Sequence, residues 1–133
     1  IRICLVGSEM CIRDSGTTKG INDDALAAYN APFPDENHKQ GVRQFPNLVP
    51  ATLRTPSAEP NKEAWKILRQ WEKPFLCAFS DKDPIFEGVE NSFLKLVPGC
   101  KGMPHVTIEN AGHFLQEDQP EACVEAILSI KEL

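Results

Sequence analysis

The chain has no apolar run near the roughly 20 residues that a membrane-spanning helix requires, and it has no excess of basic charge. Its 14 Lys and Arg stand against 19 Asp and Glu, a formal net charge of −5. Nucleic acid and anionic membrane surfaces are recognised through clustered Lys and Arg, so neither is an expected partner. No C-x-x-C and no His or Cys spacing suited to zinc occurs, and no glycine-rich phosphate loop, so no metal or cofactor is expected. A nucleophile elbow of the form G-x-S-x-G or G-x-D-x-G is also missing. The five cysteines, Cys4, Cys11, Cys77, Cys100 and Cys123, are an odd number without the spacing of a disulfide framework. They read as reduced thiols and point to a cytoplasmic protein. Cys77 and Cys123 fall on apolar faces, where a buried structural thiol is expected. What remains is ordinary: 133 residues, 41% hydrophobic and 25% charged, enough for one globular domain.

Along the chain the character changes twice. Residues 1–15 do not match the rest of the chain: Ile1 to Val6 has the β-branched content of a strand, yet Val6-Gly7-Ser8-Glu9-Met10-Cys11-Ile12-Arg13-Asp14-Ser15 resembles translated sequencing-adapter sequence. They are expected to be non-native and to have no evolved packing partners. From Gly16 to about Lys73 the chain reads as short helices broken by proline. Asn22 or Asp23 can cap a helix running to about Tyr29. Pro32, Pro34, Pro46, Pro50, Pro56 and Pro60 each remove an amide donor and restrict the preceding residue, which excludes central strands. Asn61 is placed to cap a second helix, with Ala64, Ile67, Leu68 and Trp71 as its buried stripe.

Beyond residue 73 the pattern becomes strand, helix, strand, helix. Phe75-Leu76-Cys77-Ala78-Phe79 reads as a strand buried on both faces. Val89, Phe93, Leu96 and Val97 form a helical stripe ended by Pro98-Gly99. His105 to Ile108 is the second strand, and Pro120 opens a last helix with Cys123, Val124, Ile127, Leu128 and Ile130 as its apolar face. This order gives a parallel sheet with right-handed crossovers, an α/β class. Two strands cannot cover themselves, so the apolar first strand calls for a neighbour outside this chain.

Chemistry concentrates after the two strands. His113, in Ala111-Gly112-His113-Phe114, follows the second strand, and Ser80-Asp81-Lys82-Asp83-Pro84 follows the first. Side chains at the carboxyl ends of neighbouring parallel strands point into one crevice. A carboxylate there fixes the imidazole tautomer and leaves the other ring nitrogen as a general base. Asp83, held by Pro84 and followed by Ile85-Phe86, is the better candidate for a buried orienting acid; Asp81 is suited to satisfying turn amides. His38 and His105 lack such a context and read as solvent-facing or capping residues. Glu117 and Asp118 are expected to serve the N-terminus of the last helix through its dipole, and Trp65 and Trp71 to pack in core and boundary.

Two further stretches narrow the reading. Ala28-Tyr29-Asn30-Ala31-Pro32-Phe33-Pro34-Asp35 and Gly41-Val42-Arg43-Gln44-Phe45-Pro46 closely resemble the cap segment of haloalkane dehalogenases, of the α/β-hydrolase superfamily. Phe79-Ser80-Asp81-Lys82-Asp83-Pro84 and Gly112-His113-Phe114-Leu115-Gln116-Glu117 match the acid and histidine segments of the same family. The resemblance runs from about Gly16 to Leu133. It implies the C-terminal half of an α/β-hydrolase: residues 16–73 as part of a helical cap with its return helix, and 74–133 as the last two parallel strands and their helices. It also implies cleavage of a carbon–halogen bond through an alkyl-enzyme ester, giving alcohol and halide from a small apolar substrate and water. His113 would be the base and Asp83 its acid, with Phe45, Pro46, Val49 and Ile85 lining the substrate cavity. The nucleophilic aspartate, its oxyanion-hole partner and the halide-binding tryptophans belong, by this resemblance, to a missing N-terminal half, so the chain alone is expected to be inactive. An epoxide hydrolase or esterase sharing the same acid and histidine, or a non-catalytic fragment, stays open at this point.

Overall fold

The structure, a computed structural model, describes residues 16–50 and 52–130; the strand or adapter reading of residues 1–15 lies outside them. The first helix among the described residues, α1, spans Asp23–Asn30, and the Asn22 side chain accepts the Ala25 amide at 2.8 Å. That satisfies one of the amides a helix start leaves unpaired. A 3-10 turn at Glu36–Lys39 leads into α2, Gln40–Leu48, with Pro46 inside it near the C-terminal end. Among the described residues, none between 16 and 73 is in a strand.

Helix α3 runs Ala58–Leu68 and begins earlier than the Asn61 cap predicts, with Ser57 at its start making no side-chain cap bond. Pro60 is tolerated because it falls in the first turn, where no helical acceptor awaits its nitrogen. The buried stripe shifts accordingly. Trp65 and Leu68 pack on the core, whereas Ile67 is 65% exposed and Trp71 lies past the helix end.

Among the described residues the sheet has two parallel strands, β1 at Ala78–Ser80 and β2 at Val106–Ile108, in register Ala78↔Val106, Phe79↔Thr107 and Ser80↔Ile108. The ladder is shorter than the apolar run 75–79 because the first amides of that run bond elsewhere. Phe75 N–H donates to the Gly99 carbonyl at 3.0 Å and Cys77 N–H to His105 Nδ1 at 3.0 Å. Between the strands lie α4, Glu90–Leu96, and a 3-10 turn at Pro98–Cys100. Gly99 is required there, since a Cβ would stand 2.0 Å from the Lys73 carbonyl oxygen.

Each sheet face has its own core. On one, Cys77, Val97 and Cys100 are buried beneath Trp65, Phe75, Phe79 and Phe93. The Phe93 ring stacks on Trp65 at 5.1 Å and on Phe75 at 5.6 Å, pairs that add about 0.5–1.5 kcal/mol each beyond area burial. On the other, Ile108, Ala111 and Ala126 are buried with Leu76, Ala78, Leu115 and Ala122. After the short helix α5, Leu115–Asp118, the last helix α6 spans Pro120–Ser129 with Pro120 in its first turn. Its inward face is small, Ala122 and Ala126, which lets the helix approach the strands closely. The larger Val124, Ile127 and Leu128, expected inward, are 53%, 63% and 48% exposed.

Besides the packing of Trp65 and Leu68 on the core, polar contacts tie the helical segment to the strand region. Tyr29 on α1 donates its hydroxyl to Glu117 Oε1 at 2.6 Å, and this bond raises the phenol above its ordinary pKa. Residues 16–19 are gripped by Asp118, whose carboxylate accepts the Thr18 and Lys19 amides. Glu117 and Asp118 therefore bind across the fold instead of serving as dipole partners of α6.

Candidate active site

The crevice is built by two strand ends. β1 stops at Ser80 and β2 at Ile108, and the loops beyond them are laced together. Asp81 N–H donates to the Ile108 carbonyl at 3.2 Å, Lys82 N–H to the Ala111 carbonyl at 3.0 Å, and Ala111 N–H to Asp81 Oδ1 at 3.1 Å. Desolvation works to raise the Asp81 carboxyl, but the Asn110 and Ala111 amides outweigh it and hold the group below its ordinary value. Asp81 is thus occupied as a loop fastener. Asn110 takes a left-handed backbone, φ 58°, a conformation that Asn adopts more readily than most residues. This turn brings the chain back toward the acid loop.

Against that frame stand Asp83 and His113. His113 Nδ1 and Asp83 Oδ2 are 2.9 Å apart, and the Asp83 side chain is only 8% exposed, the His113 side chain 27%. The other Asp83 oxygen accepts the Ile85 amide at 2.8 Å. A carboxylate offers no proton, so Nδ1 carries the hydrogen and Nε2 keeps its lone pair. That is the form in which an imidazole takes a proton from water. Two aromatic rings flank it: Phe86 at 5.3 Å in a tilted arrangement and Phe114 edge-on at 5.3 Å. Both stand in stretches that the sequence marks, Phe86 after the acid and Phe114 after the histidine, but neither carries a role there.

A cleft of about 450 Å³ opens beside the acid, with Phe79, Asp81, Asp83, Glu87, Glu90 and Thr107 in its wall. His113 is not among the wall residues, which also include Cys77, Lys82, Leu94 and Val106. Ile85 follows the acid and is 54% exposed. Phe45 and Val49, 70% and 40% exposed, and the half-buried Pro46 belong to α2 and its end. The structure gathers Asp83, His113 and Ile85 at one place; Phe45 and Val49 are exposed on α2 and at its end.

His105 is not a surface residue. It joins the two strands: Nδ1 accepts the Cys77 amide at 3.0 Å and Nε2 meets the Cys100 carbonyl at 2.8 Å. This pairing places its hydrogen on Nε2, the opposite tautomer to His113. Among the described residues no cluster of His, Cys, Asp or Glu is arranged to hold a metal ion.

An acid after one parallel strand, hydrogen-bonded to a histidine after the next, is the arrangement of an α/β-hydrolase. The chain is a homologue of the haloalkane dehalogenases. It is 52% identical over 107 residues to a haloalkane dehalogenase of Psychrobacter cryohalolentis, covering 80% of this chain and 35% of that protein. It is 43% identical over 114 residues to the Mycolicibacterium paratuberculosis enzyme of the same name, and 41% over 115 residues to that of Mycobacterium marinum. Each of the latter two matches covers 86% of this chain and 38% of the relative. The chain thus spans little more than a third of the length of these relatives. No protein-family model matches it.

Proposed function

We propose that this chain supplies the acid–base part of a haloalkane dehalogenase, with His113 as the base and Asp83 as its orienting acid. The observation that carries the reading is the 2.9 Å contact between His113 Nδ1 and the buried Asp83 carboxylate, in a chain homologous to dehalogenases. In this scheme a carboxylate from the remaining two thirds of such an enzyme attacks the halogen-bearing carbon. The carbon–halogen bond breaks, halide leaves with the bonding electrons, and an alkyl ester forms. Nε2 of His113 then takes a proton from water as the water oxygen attacks the ester carbonyl. Asp83 stabilises the imidazolium, and collapse of the intermediate releases alcohol and restores the carboxylate.

Residues 16–73 would form part of the cap over the site, and 74–133 its supporting core. Phe45, Pro46 and Val49 would then close over Ile85, Phe86 and Phe114, giving the neutral substrate an apolar wall.

The test exchanges the 107 matched residues of the Psychrobacter enzyme for those of this chain. Halide release from 1-bromo- and 1-chloroalkanes by the purified exchange protein supports the proposal. A folded exchange protein that hydrolyses esters or epoxides but frees no halide would overturn it.

A further inference from the structure

Asp118 is 2% exposed, the one charged residue buried to that degree among the described residues. A buried carboxylate is expensive unless its lone pairs are filled, and here they are. Oδ2 accepts the Gly112 amide at 2.8 Å and the Thr18 amide at 2.8 Å; Oδ1 accepts Thr18 at 3.0 Å and Lys19 at 3.2 Å. Lys19 Nζ also donates to the Asp118 backbone carbonyl at 2.7 Å. Desolvation pushes this carboxyl up, but the Gly112, Thr18 and Lys19 amides outweigh it and hold it below the ordinary value.

The grip falls on both sides of His113. Gly112 N–H, immediately before it, is held by Asp118, and Phe114 N–H, immediately after it, donates to the Gly16 carbonyl at 2.7 Å. Residues 16–19 and the His113 turn thus form one clamp with Asp118 at its centre. The contact is tight, for a Cβ on Gly112 would stand 2.8 Å from the Gly16 oxygen. Among the described residues the His113 ring has a single hydrogen-bond partner, Asp83, at 2.9 Å. A hydrogen bond of this kind weakens steeply once its angle falls below about 120°.

We infer that Asp118 is a positioning residue for His113, fixing the peptide on which the imidazole is carried so that Nδ1 stays on Asp83 and Nε2 stays free. The catalytic meaning of this role rests on the proposed function; the positioning itself does not. Asp118 touches no reacting atom and acts through the backbone at Gly112.

The chain contains three histidines, and nitrogen NMR of the imidazoles separates their tautomers in the full 133-residue chain. At about pH 8, where histidine is ordinarily neutral, His113 is expected to hold its hydrogen on Nδ1 and His105 on Nε2. Asp118→Asn puts an N–H₂ where amides need an acceptor. It is expected to convert His113 to a mixture of tautomers while His105 keeps its signature, and Asp118→Glu to restore part of the Nδ1–H population. Loss of overall structure would erase both signatures together, so His105 is the internal control. If Asp118→Asn does erase both, Lys19→Met decides: it removes just the ammonium on the Asp118 carbonyl and should loosen His113 alone. An unchanged His113 tautomer in Asp118→Asn, or in Lys19→Met where that variant decides, overturns the inference. So does an unaltered chain in which His105 holds its hydrogen on Nε2 but His113 lacks its hydrogen on Nδ1. Halide release plays no part in this readout, so failure of the dehalogenase reading and failure of the positioning role are separate results.

Discussion

Replacing Asp83 by Asn in the exchange enzyme tests the acid–base pair with almost no change of shape. Asp83 gives one oxygen to the Ile85 amide at 2.8 Å and the other to His113 Nδ1 at 2.9 Å. Asparagine can keep the first bond through its carbonyl oxygen, which turns its N–H₂ toward the imidazole. The ring can accept that bond only through a bare Nδ1, and the hydrogen then moves to Nε2. The base is lost without any loss of packing, and the developing imidazolium loses its counter-charge in a site 8% exposed on the acid side. In a serine protease the same chemical change lowers turnover by about 10⁴, or about 5 kcal/mol of barrier. The expected deficit here is of that order and confined to ester hydrolysis, since His113 takes no part in displacing halide. Rapid mixing would resolve it as an initial burst of halide followed by a stalled steady state. Asp81→Asn keeps an oxygen for the Ala111 amide and should slow turnover by a few-fold at most. Equal, mild losses from the two substitutions, or a burst abolished by Asp83→Asn, would refute the assignment.

Other perturbations test the frame around the site. Asp118 has a depressed pKa, so its contribution to stability is in full at and above the ordinary carboxylate range. It is lost as pH falls below that range through the depressed value; thermal melts across acid pH should show this slope, and Asp118→Asn should flatten it. Gly112→Ala forces a Cβ against the Gly16 carbonyl and should destabilise by about 1–3 kcal/mol, read from denaturant midpoints; an unchanged midpoint would show that the clamp yields freely. Burial first, and Cys100 second, push the Cys77 thiol up to about 11. Disulfide-exchange reagents at about pH 8 should therefore modify Cys77 only on unfolding, and rapid native labelling would contradict its burial.

Much of the candidate site was legible because it is written locally. An acid and a histidine placed just after two apolar runs need only the parallel order of those runs to meet, and the Asn22 cap needs only its own helix. Most of the misreadings depend on partners outside the local pattern, several of them far away in sequence. Asp118 reads as a charge near a helix start until residues 16–19 fold over it. His105 reads as a surface residue until the Cys77 amide and the Cys100 carbonyl bracket its ring. On α6 the sequence emphasises large apolar residues, but close approach to the strands selects Ala122 and Ala126. The pairing of Phe75 with Gly99 shortened β1 in the same way, through a turn that the apolar run itself does not announce.

The central claim is that His113 serves hydrolysis of a covalent ester and not release of halide. The direct measurement is halide freed per active site, with the mass of the protein, for the exchange enzyme and its His113→Gln variant on a 1-bromoalkane. The expected result is continuous turnover for the first. The variant should free no more than one halide per site and gain the mass of one alkyl group. Continuous turnover by the variant, or no halide and no added mass, would contradict the account.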